Sequence, residues 1–159
     1  MKILYGVCGE GYGHTIRSKA VIDELANKHT LQIVAGKNAY EYFKQKYPTQ
    51  KVASLFVNYS NNQVQTLKTV LLNIVKLPIY IRSFVKVCKL LDTFKPDIVI
   101  TDLEIFSAYA SLLKKKPLIS IDNHQILVQT KIDISRLRWL YFINVFLVVK
   151  LFVPKAHHY

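Results

Sequence analysis

The sequence predicts an α/β domain built on a doubly wound parallel sheet, and three observations lead there. Strand-like runs alternate with helical patterns along most of the chain; those runs are apolar on both faces; and a glycine-rich turn joins the first strand to the first helix. In such a Rossmann-like sheet, ligands bind beyond the carboxyl ends of the strands. The length of 159 residues, 51% hydrophobic composition and only five glycines and five prolines fit one packed unit.

The elements follow in order. Lys2 to Cys8 reads as a buried strand, and Ile16 to Ala26 carries apolar residues at helical spacing (Ile16, Ala20, Val21, Leu25), so Gly9 to Thr15 is a strand-to-helix turn. Leu31 to Ala35 is a second strand closed by Gly36, Asn38 to Tyr47 a helix stopped by Pro48, and Lys51 to Val57 a third strand. Val64 to Phe94 is helical, with a kink or break expected at Pro78, which lacks a backbone donor. Asp97 to Thr101 and Leu118 to Ile121 are β-branched strands flanking a helix from Ile105 to Leu113, and Ile134 to Val153 forms a last apolar helix.

The formal net charge of +12 attracts polyanions: nucleic acid, anionic headgroups or a phosphorylated small molecule. No helix-turn-helix, zinc, RNP-like or KH signature accompanies it, so nucleic acid is not expected as a partner. Cys8 and Cys88 show no ligand spacing and read as packing residues in a reducing compartment. No metal motif is visible, and neither metal nor cofactor is expected. The segment Met1 to Gly9 lacks the architecture of a cleaved signal peptide, which gives a cytoplasmic expectation.

Chemistry concentrates in Gly9-Glu10-Gly11-Tyr12-Gly13-His14-Thr15-Ile16-Arg17-Ser18. Gly9, Gly11 and Gly13 allow a sharp turn that brings backbone N–H groups to a ligand at a helix N-terminus. The dinucleotide fingerprint competes for this turn, but His14 stands in place of its third glycine, and the second strand ends Val34-Ala35-Gly36-Lys37 without the acid that would bind a ribose. His14 is placed for proton transfer at neutral pH; a helix-capping or core histidine is the plain alternative. Asp102 and Glu104 follow the Asp97 to Thr101 strand, where a carboxylate can orient the imidazole or simply cap the next helix. Asp122-Asn123-His124-Gln125 ends the next strand with four hydrogen-bonding side chains, suited to a sugar or to an ordinary polar loop.

On three segments the chain resembles the N-terminal domain of GT-B-fold glycosyltransferases, in particular the family 28-like group: Gly9 to His14, Pro96-Asp97 with Asp102, and Lys116 to Asn123. The resemblance implies one half of a GT-B fold, with residues 1–153 as the acceptor-binding domain and residues 154–159 as the start of a linker or tail. It also implies that the donor domain lies outside this chain, in a companion polypeptide or a longer protein. The implied activity is an inverting hexosyl transfer from a nucleotide sugar to an acceptor hydroxyl, with His14 and Asp102 catalytic. Gly9, Gly11, Tyr12, Gly13, Thr15, Arg17, Glu104, Asp122, Asn123 and His124 are then expected to bind substrate. Where the peptidoglycan-synthesising members of the family 28-like group have a proline soon after the turn, this sequence has Ile16-Arg17-Ser18. A non-catalytic subunit of a split enzyme stays open as the alternative, with a dinucleotide-binding protein behind it.

The basic excess points to a surface. Lys68, Lys76, Arg82, Lys86 and Lys89 stand against one acid, Asp92, among aliphatic residues; Ile134 to Val153 adds Trp139, Tyr141, Phe142 and Phe146 flanked by Arg136, Arg138, Lys150 and Lys155. Its uncharged core, Trp139 to Val149, is 11 residues, about 16 Å of helix against the roughly 20 residues a span needs. Peripheral attachment to the inner face of the plasma membrane and a glycolipid acceptor are the expectations.

Overall fold

A computed structural model describes residues 1–55, 59–60, 63–64, 66–126, 130, 139–153 and 155–158. Five parallel strands form the sheet in the order β3-β2-β1-β6-β7: β1 (Lys2–Val7), β2 (Thr30–Ala35), β3 (Thr49–Lys51), β6 (Ile98–Asp102) and β7 (Leu118–Ser120). A two-residue antiparallel pair, β4 (Tyr59–Ser60) and β5 (Gln63–Val64), stands apart. The helices are α1 (Tyr12–Ala26), α2 (Lys37–Phe43), α3 (Thr66–Val75), α4 (Leu77–Phe94), α5 (Ile105–Leu113) and α6 (Trp139–Phe152).

Alternation along the strands sorts the core into two layers. Ile3, Tyr5 and Val7 of β1 pack with Ile33 and Ala35 of β2 against Ile22 of α1 and Ala39 and Phe43 of α2. Leu4, Val34 and Val99 face the other way, onto Val87 and Leu91 of α4 and Phe106, Ala108 and Ala110 of α5. Strands buried on both faces are why they read as continuous apolar runs.

The expected doubly wound sheet is present, and several boundaries differ. The third strand precedes the apolar run assigned to it: Ile33 to Ala35 pair with Thr49 to Lys51, and past Val52 the chain leaves the sheet, its Ala53 N–H donating to Ser83 Oγ of α4 at 2.9 Å. Phe56 and Val57 lie outside the described residues. Helix α2 ends at Phe43, four residues before the expected Tyr47. Helix α1 begins at Tyr12, so His14 sits in its first turn; Ile16 is exposed, and the inward face is Thr15, Ser18 and Ile22. Pro78 occupies the first turn of α4, just past a break at Lys76. Residues 134–138, including Arg136 and Arg138, and the side chains of Trp139, Tyr141 and Phe142 lie outside the described residues.

Residues 155–158, within the segment expected to start a linker or tail, reach back to the sheet. His157 N–H donates to Leu118 O at 2.8 Å, Leu118 N–H donates to His157 Nδ1 at 3.1 Å, and His158 pairs in parallel with Ile119. Among the described residues, no helix is long and apolar enough to cross a membrane.

Candidate active site

From β1 the chain winds through β2 and β3 to one side, then crosses to β6 and β7 on the other, so the topological switch point lies between β1 and β6. The loops leaving these two strands diverge there and open a crevice. Cys8 N–H donates to Asp102 O at 2.9 Å and holds the two strand ends together. After β1 comes the glycine-rich turn; after β6 come Asp102, Leu103 and Glu104.

Helix α1 stands over the end of β6. His14, Arg17 and Ser18 fall at i, i+3 and i+4, on one helix face, and all three converge on the Asp102 carboxylate, which is fully buried. His14 Nδ1 lies 2.7 Å from Asp102 Oδ1. Ser18 Oγ donates to Oδ2 at 2.8 Å, Arg17 Nε donates to Oδ2 at 3.2 Å, and Arg17 Nη2 donates to Oδ1. A carboxylate beside Nδ1 assigns the proton to that nitrogen, which then donates to Asp102. Arg17 Nη2, 3.0 Å from Nδ1, is then a second donor to the same oxygen rather than a bonding partner of the ring. Nε2 keeps its lone pair and is the nitrogen left for the cavity that His14 lines.

That cavity measures about 280 Å³. Val7, Val52, Ala53, Leu55, Leu103, Ile105 and Phe152 give it apolar walls, while Gly9, Glu10, His14, Ser54, Glu104 and His124 supply the polar positions. Among the described residues no Lys or Arg lines it, in a chain of net charge +12. The His14 and His124 rings lie nearly parallel, 11° apart with centroids 5.7 Å from each other.

Glu104 caps α5, accepting from Phe106 N at 3.0 Å and Ser107 N at 2.7 Å. Burial pushes its carboxyl up to about 7 against those hydrogen bonds. The turn that delivers it is cross-braced: Thr101 Oγ1 accepts from Glu104 N at 2.9 Å and donates to Glu104 O at 3.0 Å. Between them Leu103 adopts a left-handed φ of 53°, unusual for a branched residue. Cys8 also lines the cavity, and burial pushes its thiol up to about 11, away from nucleophilic chemistry.

Of the residues expected to bind substrate, Gly9, Glu104 and His124 line the cavity with His14. Arg17 does not present a free head to a ligand, because Asp102 holds it. Thr15 is buried beneath α1, and Tyr12 projects outward, 66% exposed. Gly11, at φ 72°, makes the turn into the helix, where a left-handed backbone disfavours any side chain. A side chain on Gly13 would meet open space; one on Gly9 would strike the Gly36 carbonyl at 2.5 Å. Asp122 supports His124 rather than lining the cavity: its Oδ1 accepts from His124 N at 2.9 Å and Gln125 N at 3.1 Å, and its Oδ2 from Ser120 Oγ at 2.8 Å. Burial presses the Asp122 carboxyl upward, but the neighbouring His124 imidazole and the hydrogen bond from the Ser120 hydroxyl outweigh it and hold the group below its ordinary value. Asn123 sits in the same 3-10 turn, exposed.

Sequence reasoning missed three participants. Ser18 was within reach, one helical turn beyond His14. Ser54 and its neighbours gave no local signal, because a chain that leaves the sheet early brings them in. The ion pair between Lys37 and Glu10, which ties the glycine-rich turn to the start of α2, spans 27 positions and has no pattern.

A switch-point crevice with a histidine–carboxylate pair over an apolar cavity defines the class: this is the N-terminal half of a GT-B glycosyltransferase fold. The family model described as glycosyl transferase family 1 matches residues 1–159, and the chain belongs to that family. An uncharacterized glycosyltransferase of Methanosarcina acetivorans is 31% identical over 137 residues, covering 77% of this chain and 33% of that protein. The chain thus spans about one third of the length of this curated relative. Among solved structures, the calicheamicin glycosyltransferase CalG4 matches with a TM-score of 0.58 at 19% identity, over 90% of this chain and 36% of that one. MurG of Acinetobacter baumannii matches at 0.53 and 14%, over 91% and 39%. At these identities the solved structures speak for the fold alone.

Proposed function

We propose that this chain is the acceptor-binding half of an inverting glycosyltransferase in which His14 is the general base and Asp102 its orienting partner. The reading rests on one observation, the 2.7 Å contact of His14 Nδ1 with buried Asp102 at the mouth of a cavity. His14 Nε2 takes the proton of an acceptor hydroxyl; the acceptor oxygen bonds to the anomeric carbon from the face opposite the leaving group; the anomeric C–O bond breaks and the electron pair leaves with the nucleoside diphosphate. Asp102 stabilises the imidazolium formed in between.

The cavity's electrostatics favour the acceptor over the donor. A diphosphate calls for cations or helix-terminal N–H groups, and this cavity offers Glu10 and Glu104 instead, with aliphatic walls. An acceptor that is apolar with one reactive hydroxyl, such as a glycolipid at the inner face of the plasma membrane, suits it. The donor diphosphate is assigned to a second domain or a partner chain.

The test is turnover of UDP-, GDP- and TDP-hexoses by the chain joined to its C-terminal partner sequence, with hydroxyl acceptors of graded apolarity and the product anomer read by NMR. Nucleoside diphosphate release with an inverted anomer supports the reading. A folded, complemented protein that releases none from any donor removes it in favour of a non-catalytic subunit.

A further inference from the structure

We infer that helices α3 and α4 form a docking surface for an anionic lipid bilayer. Val70, Leu71, Leu72, Ile74, Val75, Leu77, Ile79, Ile81 and Val85 are all large aliphatic residues, and each is 38–77% exposed. Isolated exposed aliphatics are ordinary; nine within sixteen positions are not. At 100° per residue, those of α3 sweep about 200° of its surface, wider than the stripe a helix shows to a protein core. On α4, Leu77, Ile81 and Val85 recur every fourth residue, on the flank that adjoins the face burying Tyr80, Ser83, Val87 and Leu91 in the domain.

Charge selects the occupant. Lys68, Arg82, Lys86 and Lys89 are exposed on the same two helices, Lys76 lies between them, and no Asp or Glu occurs from Thr66 to Leu91. The row Arg82, Lys86, Lys89 runs beside the apolar row Leu77, Ile81, Val85. A protein partner usually meets a basic patch with mixed charges and aromatic anchors, whereas aliphatic side chains edged by unmixed cations match acyl chains beneath anionic headgroups. The surface is also braced. Tyr80 Oη donates to Asn73 Oδ1 at 2.6 Å, tying α4 to α3, and Ser83 Oγ holds the backbone of Ala53, a wall of the cavity. A bilayer seated there lies against the element that supports the acceptor cavity. The inference stands on this surface alone and survives even if the catalytic reading fails.

The experiment is co-sedimentation of the full chain with vesicles of phosphatidylcholine, alone or mixed with phosphatidylglycerol, with gel filtration and circular dichroism of every variant. The chain is expected to sediment with the mixed vesicles and not with phosphatidylcholine alone, less so at high salt. Arg82→Glu with Lys86→Glu lowers partitioning at least about tenfold, and Ile74→Asp with Ile81→Asp abolishes it. Lys28→Glu with Lys115→Glu, an equal charge change elsewhere, leaves most of it. These positions are all exposed, so both surface variants are expected to keep the fold, and the charge pair still decides if the aspartate pair unfolds. Failure of the chain to bind mixed vesicles overturns the inference, as does equal loss in the control pair. A dimer that Ile74→Asp with Ile81→Asp dissolves overturns it too, since the surface would then join two copies.

Discussion

At the scale of single residues, Asp102 organises the site. It is fully buried and takes hydrogen bonds from Arg17, Ser18 and His14, so the charge is compensated on three sides. Asp102→Asn keeps the shape but gives Arg17 a neutral partner and turns one of the two acceptor oxygens into a donor, so the His14 tautomer is no longer fixed. We expect a loss of about 2 kcal/mol in stability and a fall in transfer rate out of proportion to it. Denaturant unfolding beside steady-state turnover checks both; unchanged turnover would contradict the orienting role. Glu104 supplies a second, pH-dependent signature. Its carboxyl, raised from 4.5 to about 7 by burial, holds its proton more tightly in the folded chain than in the unfolded one. Its stabilising contribution is therefore full below pH about 4.5 and is lost as pH rises through about 7, on the order of 3 kcal/mol in all. Glu104→Gln cannot titrate, so unfolding free energies measured near pH 5 and near pH 8 should converge in the variant; an equal decline in both proteins excludes Glu104 as its source.

At the scale of elements, the two turns that follow β1 and β6 set the geometry. Gly11 enters α1 at φ 72°, and Gly11→Ala should cost about 1–2 kcal/mol, read as a lowered urea midpoint; no change would mean the turn relaxes freely. The Thr101 hydroxyl braces the second turn twice, so Thr101→Val should destabilise by about 1–3 kcal/mol and lower transfer by displacing Asp102. How much of this was legible follows from the kind of signal each element carries. Strands β1, β2 and β6 announced themselves because burial on both faces makes them apolar throughout. Helix α1 is less legible: its inward face holds Thr15 and Ser18 in place of apolar residues, because Ser18 must reach a carboxylate. Strand β3 was displaced because its residues, Thr49 to Lys51, are polar at the sheet edge, while the apolar residues after it serve the cavity.

At the scale of the whole molecule, the sheet order explains why residues 84 to 88 positions apart meet. Only a crossover from β3 to β6 places the end of β6 beside the end of β1, and so Asp102 under His14. The alternation of strands and helices made that topology readable, since right-handed crossovers leave few arrangements. The cavity's far wall was not readable: Val52 to Leu55 and Phe152 come from segments whose course depends on tertiary packing. Under the proposed reading the chain supplies the acceptor side, and it spans about one third of its curated relative's length. The most direct measurement of the central claim is the single-turnover rate of sugar transfer by the complemented protein and by its His14→Ala variant, with circular dichroism to show that both fold. A fall of at least about 10² in the variant, with the fold intact, is the predicted result; transfer at the unaltered rate would contradict His14 as the base.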